Sequence, residues 1–187
     1  DLTVFFYNPN IYPKEEYLKR KKYVARVCEE WGIPMVDFDY NQAEWDEATE
    51  GLENESEGGA RCLKCFRLRL ETTARYAKEN KFDVFCTTLT SGRNKKAEVI
   101  NPIGEELGAK YGVKFYETDW KKDGRQEKAK KMVKERGIYQ QNYCGCVYSW
   151  NMMHGTWNTQ QQIDNGSMEQ SDNPVYHIQP PPNQRNL

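Results

Sequence analysis

Apolar positions along the chain follow two rhythms, and they alternate. Leu2–Tyr7 is a compact apolar run ended by Asn8-Pro9-Asn10, which predicts a buried strand and a turn. From Pro13 to Trp31 the spacing becomes helical. Tyr17, Val24, Cys28 and Trp31 share one face, Pro13 suits the first turn and Gly32 closes the end. Ile33–Phe38 predicts the next strand, Asn41–Glu50 a short acidic helix, and residues 51–60 a polar loop. A second amphipathic helix is expected to begin near Cys62, with Phe66, Leu70, Ala74 and Ala77 inward.

Asp83–Leu89 has almost no polar alternation, as expected for a strand covered on both faces. A polar loop, Thr90–Lys96, leads into a helix that runs to Tyr111 with Ile100, Ile103 and Leu107 buried. Pro102 interrupts it, so either the helix kinks there or it starts with Asn101 as its cap. Val113–Tyr116 predicts a short strand, Gly124–Arg136 a basic helix, and Ile138–Trp150 a loop carrying Cys144-Gly145-Cys146. Strands alternating with helices predict an α/β fold, a doubly wound parallel sheet with helices on both faces. Functional groups should gather at the carboxyl ends of its strands. Beyond Trp150, Asn, Gln, Ser and Pro dominate and periodicity disappears. Residues 1–150 therefore predict the folded domain and 151–187 an irregular tail, with Trp157 and Tyr176 as candidate anchors. His154 and His177 lie in that polar tail and receive no role.

Composition narrows the function. At 187 residues the chain suits one domain, and a net charge of −1 gives no support to indiscriminate nucleic-acid binding, though a local basic face remains compatible. No apolar run reaches membrane-spanning length and no signal peptide is visible, so a cytoplasmic location is the expectation. In that reducing setting, six cysteines point to metal ligands or redox groups rather than disulfides. The first methionine is Met35, so residues ahead of Asp1 are expected to belong to the protein.

The cysteines fall into two kinds. Cys62-Leu63-Lys64-Cys65 sits at an expected helix start, where both sulfurs share one side of the first turn and the positive helix end favours thiolates. Cys144-Gly145-Cys146 is a second pair, and its glycine lets the backbone turn so that both sulfurs approach one centre. Four thiolates hold either a structural zinc or an iron–sulfur cluster, and spacing leaves both open. A dithiol redox role and four unrelated buried thiols are the further alternatives. Cys28, on a helix face, and Cys86, in a strand, read as small core hydrophobes.

At this point a family resemblance enters. Thr3-Val4-Phe5-Phe6-Tyr7-Asn8-Pro9-Asn10-Ile11, Glu16-Tyr17 and Gly51-Leu52-Glu53 resemble the opening half of QueH-type epoxyqueuosine reductases. The match continues through Glu57-Gly58-Gly59-Ala60-Arg61-Cys62, Cys65-Phe66, Arg69-Leu70, Thr87-Thr88-Leu89-Thr90, Lys95 and Gln141-Asn142-Tyr143-Cys144-Gly145-Cys146. The resemblance covers about Leu2 to Trp150. It implies a fold resembling nucleotide α-hydrolases and reduction of epoxyqueuosine to queuosine in tRNA, with an unidentified electron donor. It also implies that Cys62, Cys65, Cys144 and Cys146 supply thiolates to an iron–sulfur cluster, expected to be 4Fe-4S, with an additional metal ion, or to a redox pair adjacent to that centre, the roles not being divided among the four. The family opens with a strand and a loop of adjacent cysteines, expected ahead of Asp1, and Ser91-Gly92-Arg93 and Pro102 depart from its pattern.

Removing an epoxide oxygen takes two electrons and two protons. Tyr143 is the candidate proton donor by position, against the alternative that it only packs on the cysteine loop. Arg93, Lys95 and Lys96 form a basic cluster suited to RNA phosphates. Lys121, Lys122, Arg125, Lys128, Lys130, Lys131 and Lys134 form another, which also reads as a solvated helix face, and Trp120 and Tyr139 are available for stacking. Two rival readings stand beside the reductase: a zinc-stabilised RNA-binding module, and an ATP-dependent tRNA-modifying enzyme of related fold. Thr90-Ser91-Gly92-Arg93 is a weak phosphate loop for the latter.

Overall fold

A computed structural model describes residues 1–38 and 40–155. The chain opens with strand β1 (Val4–Phe6), helix α1 (Lys14–Trp31) and strand β2 (Met35–Asp37), and the two strands pair in parallel, Phe5 opposite Val36. Helix α2 (Gln42–Thr49) and helix α3 (Ala60–Glu79) follow. A second unit of the same design comprises strand β3 (Val84–Phe85), a 3-10 turn at Leu89–Ser91, helix α4 (Ala97–Tyr111) and strand β4 (Lys114–Phe115). Its strands are also parallel, Phe85 opposite Phe115. Helices α5 (Arg125–Glu135) and α6 (Val147–His154) complete the described chain.

The α/β character and the parallel pairing agree with the sequence reading. One continuous doubly wound sheet does not form among the described residues: β1–β2 and β3–β4 are separate two-stranded sheets. The expected strand Asp83–Leu89 pairs only over Val84–Phe85. Beyond it the chain turns away, so Val84 is 43% exposed and Cys86 is exposed, not the core residue its apolar neighbours suggested. An apolar run marks what a strand is able to bury, while its length depends on the neighbour it finds.

Helices follow the pattern more closely. Glu15 and Glu16 sit in the first turn of α1, where the helix dipole favours acids. Gly32 closes α1 at φ 63°, with Ile33 donating back to the Cys28 carbonyl at 2.8 Å. Trp31, placed inward by periodicity, is 48% exposed and lies under the Arg136 guanidinium. Phe66, Leu70, Ala74 and Ala77 of α3 are buried as expected, and with Ile100, Leu107, Phe85 and Phe115 they form the main core. A smaller cluster, Phe6, Ile11 and Tyr17, lies under β1 and α1.

Helix α4 starts at Ala97 and carries Pro102 inside it, which rules out a start capped by Asn101. The Asn101 side chain is buried and its amide donates to the Thr118 carbonyl at 3.4 Å. Residues 147–150, expected in a loop, begin α6, which runs through the expected domain boundary to His154. Trp157, Tyr176, His177 and the remainder of the tail lie outside the described residues.

Helix α4 reaches β4 through a bare backbone surface. A Cβ at Gly104 would fall 2.4 Å from the Phe115 ring, far inside contact distance. Gly104→Ala should therefore lower stability by about 1–3 kcal/mol, the usual cost of overpacking a filled core. Urea unfolding tests this, and an unchanged midpoint would mean that α4 does not approach β4 so closely.

Candidate functional site

The two cysteine pairs, some 80 residues apart in sequence, line one cavity. Its walls are Asn10, Trp45, Arg61, Cys62, Cys65, Phe66, Arg69, Lys95, Cys144 and Cys146. Each wall has its own origin. Asn10 lies in the loop between β1 and α1, Trp45 comes from α2, and α3 supplies Arg61 through Arg69. Lys95 comes from the loop before α4, and Cys144 and Cys146 from the loop before α6.

Residues at the start of α3 face inward because the preceding loop folds back over them. The Gly58 N–H donates to the Cys62 sulfur at 3.2 Å, and the Glu55 carboxylate accepts from the Ala60 N–H at 3.0 Å. Arg61, 4% exposed, donates to the Leu52 and Glu53 carbonyls at 2.9 Å each and lies 4.1 Å from the Tyr148 ring centre. These contacts tie the loop at 52–60 to the first helical turn.

The second pair is clamped onto α1 and the loop before it. Arg20 donates to the Cys144 and Tyr143 carbonyls, and Tyr12 N–H donates to the Gly145 carbonyl at 2.7 Å. Gly145 has φ 129°, a conformation open to glycine, and an added Cβ would meet Arg20 and Asn10 at 3.0 and 3.3 Å. The flexible glycine of the sequence reading is in fact a tightly packed one.

Electrostatics at the four sulfurs differ. Cys144 is held well below the ordinary thiol range, first by a hydrogen bond from the Cys146 thiol and then, against the cost of burial, by the Lys95 ammonium. Cys146 is pushed up for the reciprocal reason, because its proton is shared with Cys144 and burial adds to the effect. Burial also raises Cys65, opposed by Arg69 and by the Trp45 indole. Burial works against charge on Lys95, but Cys144, Cys62 and Glu57 outweigh it and keep the ammonium protonated.

Cations outnumber carboxylates here. Lys95 has Glu57 at 3.5 Å, whereas among the described residues neither Arg61 nor Arg69 has a carboxylate in salt-bridge range. Three buried polar atoms on the cavity wall have no partner of hydrogen-bond geometry: Asn10 Oδ1, Trp45 Nε1 and Arg61 Nε. Native interiors leave few such groups, and two of the three, the Trp45 and Arg61 N–H groups, are donors suited to an anionic partner, while Asn10 Oδ1 is an acceptor. Four thiols with surplus cations and unpaired donors match the chemistry of a thiolate-bound metal group. Among the described residues, however, no three Cys, His, Asp or Glu side chains are already closed around one point.

The other sequence candidates separate. Lys95, grouped with Arg93 and Lys96 as an RNA contact, is 9% exposed and faces the thiols, while Arg93 and Lys96 are exposed. Tyr143 is buried beside Trp150, its hydroxyl donates to the Tyr12 carbonyl, and it does not line the cavity. The α5 lysines stand on a helix with no buried residue. Lys121 instead caps the loop carrying Lys95, donating to the Gly92 and Lys95 carbonyls, and Trp120 Nε1 donates to the Thr87 carbonyl at 2.7 Å. Trp45 is the residue that sequence reasoning missed. A lone tryptophan on a short acidic helix was its only signal.

Comparison with known proteins gives the family. The epoxyqueuosine reductase QueH family matches residues 1–152. The epoxyqueuosine reductase QueH of Histophilus somni (strain 129Pt) is 44% identical over 150 residues, covering 80% of this chain and 62% of that protein. Those of Acinetobacter baylyi and Thermotoga maritima are 42% and 38% identical, covering 83% and 80% of this chain and 74% and 79% of their own lengths. The chain thus spans less than two thirds of the Histophilus protein. With 152 residues matched from the first strand to the last described helix, the chain belongs to the epoxyqueuosine reductase QueH family.

Proposed function

We propose that the protein takes part in the reductive removal of the epoxide oxygen of epoxyqueuosine in tRNA, giving queuosine. The observation that carries this reading is the convergence of Cys62, Cys65, Cys144 and Cys146 on one cation-lined cavity, in a chain of this family. The reaction consumes two electrons and two protons and releases water as the epoxide becomes an alkene. Side chains offer no source of two low-potential electrons; an iron–sulfur cluster held by the four cysteines, with an additional metal ion, would supply them one at a time from an external donor and polarise the oxygen. The doubly wound, nucleotide α-hydrolase-like arrangement is inferred for the family fold from the two parallel strand–helix–strand units.

The chain's own residues have separate tasks. Lys95 neutralises charge beside Cys144 and favours its thiolate. Arg61 and Arg69 add positive potential that a dianionic guest would offset. Arg93 and Lys96 stand exposed on the loop whose neighbour, Lys95, faces the cavity, so phosphate contacts there would bring a tRNA loop next to the thiols. Tyr143 holds the cysteine loop through Tyr12, which fits the packing role better than proton donation.

One observation favours a second reading. The cavity measures about 20 Å³, room for one small bound species. That size suits a lone zinc in a non-redox RNA-binding module. No helix among the described residues is long and apolar enough to cross a membrane.

Anaerobic purification followed by iron, sulfide and zinc analysis separates the two. The reductase reading expects iron with sulfide and a broad visible absorbance that dithionite bleaches, and zinc alone after reconstitution would overturn it. Cys65→Ser and Cys146→Ser should each lower bound iron, whereas Cys86→Ser, at an exposed thiol, should leave it unchanged. A second expectation concerns acidity in metal-free protein. Iodoacetamide should react with Cys144 along a pH profile centred below the ~8.5 of a free thiol, since the folded environment depresses its pKa. Lys95→Met removes the ammonium and should move that profile upward; an unmoved profile would show that Lys95 does not act on Cys144.

A further inference from the structure

Trp45 is 1% exposed, among the most buried large side chains of the protein. It packs with Cys65 and Cys146 in one apolar cluster, with its ring 5.9 Å from that of Tyr148. Its backbone is fixed from two sides. Thr49 Oγ1 donates to the Trp45 carbonyl at 2.9 Å, and the Tyr7 hydroxyl donates to Glu44 at 2.7 Å, anchoring α2 against β1. A side chain so placed does not turn to find water.

Its indole nitrogen nevertheless has no partner of hydrogen-bond geometry. An indole N–H is a donor only, so it requires an acceptor, and the cluster in which Trp45 packs offers the sulfurs of Cys65 and Cys146. A neutral thiol accepts poorly, whereas a metal-bound thiolate accepts well. The indole shares its buried cluster with the Cys65 and Cys146 side chains. The acceptor it lacks is the one that metal binding creates.

We propose that Trp45 is a positioning residue of the metal centre, whose indole N–H donates to the Cys65 sulfur once that sulfur is a metal-bound thiolate. The proposal rests on the reading of the four cysteines as metal ligands. Two consequences follow from the chemistry. The bond fixes the orientation of the Cys65 sulfur, as second partners of metal ligands do. It also withdraws charge from the sulfur, which stabilises the reduced centre and raises its reduction potential.

Nuclear magnetic resonance of ¹⁵N-labelled full chain tests the bond with Cd(II) alone as the probe, a diamagnetic ion that binds thiolates. Upon Cd(II) binding, the Trp45 indole proton should move downfield and exchange with solvent more slowly, and Cys65→Ser should abolish both changes. An unmoved Trp45 resonance in Cd(II)-loaded protein would overturn the proposal. In iron-loaded protein, replacing Trp45 by 3-benzothienylalanine keeps the shape of the side chain and deletes the N–H. The potential should then shift to a more negative value with iron content retained, and an unchanged potential would overturn the proposal. Absence of iron and sulfide from anaerobic protein would defeat the cluster reading separately, and the Cd(II) arm would still decide the role of Trp45.

Discussion

Glu16 and Arg20 stand one helical turn apart on α1 and form an ion pair of 2.7 Å with side chains 8% and 11% exposed. Glu16 also accepts from the Tyr139 hydroxyl at 3.0 Å, while Arg20 extends past it to the carbonyls of Tyr143 and Cys144 and covers the Tyr143 ring. A buried pair of this kind adds little net stability, but loss of either partner strands the other and costs about 3–5 kcal/mol. Its value here is positional. The loop carrying Cys144 and Cys146 has no regular structure until α6 begins, and this pair fixes it against the start of α1. That clamp acts together with the Tyr12 N–H on the Gly145 carbonyl and the Tyr143 hydroxyl on Tyr12 to hold the second cysteine pair opposite the first.

Around this fixed point the fold supplies walls rather than a finished cage. Helix α3 presents Cys62 and Cys65 at its first turns, packed by the same apolar stripe that builds the main core. The loop at 52–60 closes over them through Arg61, and the loop ending at Lys95 is held by Lys121 and Trp120. Three structural problems, a loop, a helix start and a second loop, are thus solved by cations donating to backbone carbonyls. Two other cations, Lys95 beside Cys144 and Arg69 beside Cys65, favour the thiolate forms of the sulfurs so positioned.

Much of this was legible in the sequence, and the failures have physical causes. Helical periodicity located α1, α3 and α4 because their buried faces repeat over many turns, as Phe66, Leu70, Ala74 and Ala77 show. Strand length was overestimated because an apolar run such as Val84–Leu89 does not reveal how many residues find a pairing partner, and only two do. The start of α6 was hidden because Val147–Trp150 follows a Cys-Gly-Cys loop and has no buried face to impose a period. Charge in sequence carries no direction, so Lys95 reads alike with its neighbours Arg93 and Lys96. Its burial depends on Glu57, Phe66 and Cys144, which come from three other segments. Trp45 could not be assigned for the same reason. Both cysteine pairs were found because close spacing is local, whereas the cations and donors serving them are assembled only by the fold.

The account depends most on the claim that the two cysteine pairs bind one guest in common. Anaerobic crystals of the iron-loaded protein, measured at the iron absorption edge, address it directly through an anomalous difference map. The account requires an anomalous peak in the cavity between the start of α3 and the loop at 144–146, with sulfurs from both pairs bound to it. A peak held by one pair alone, with the other remaining as free thiols, would contradict it.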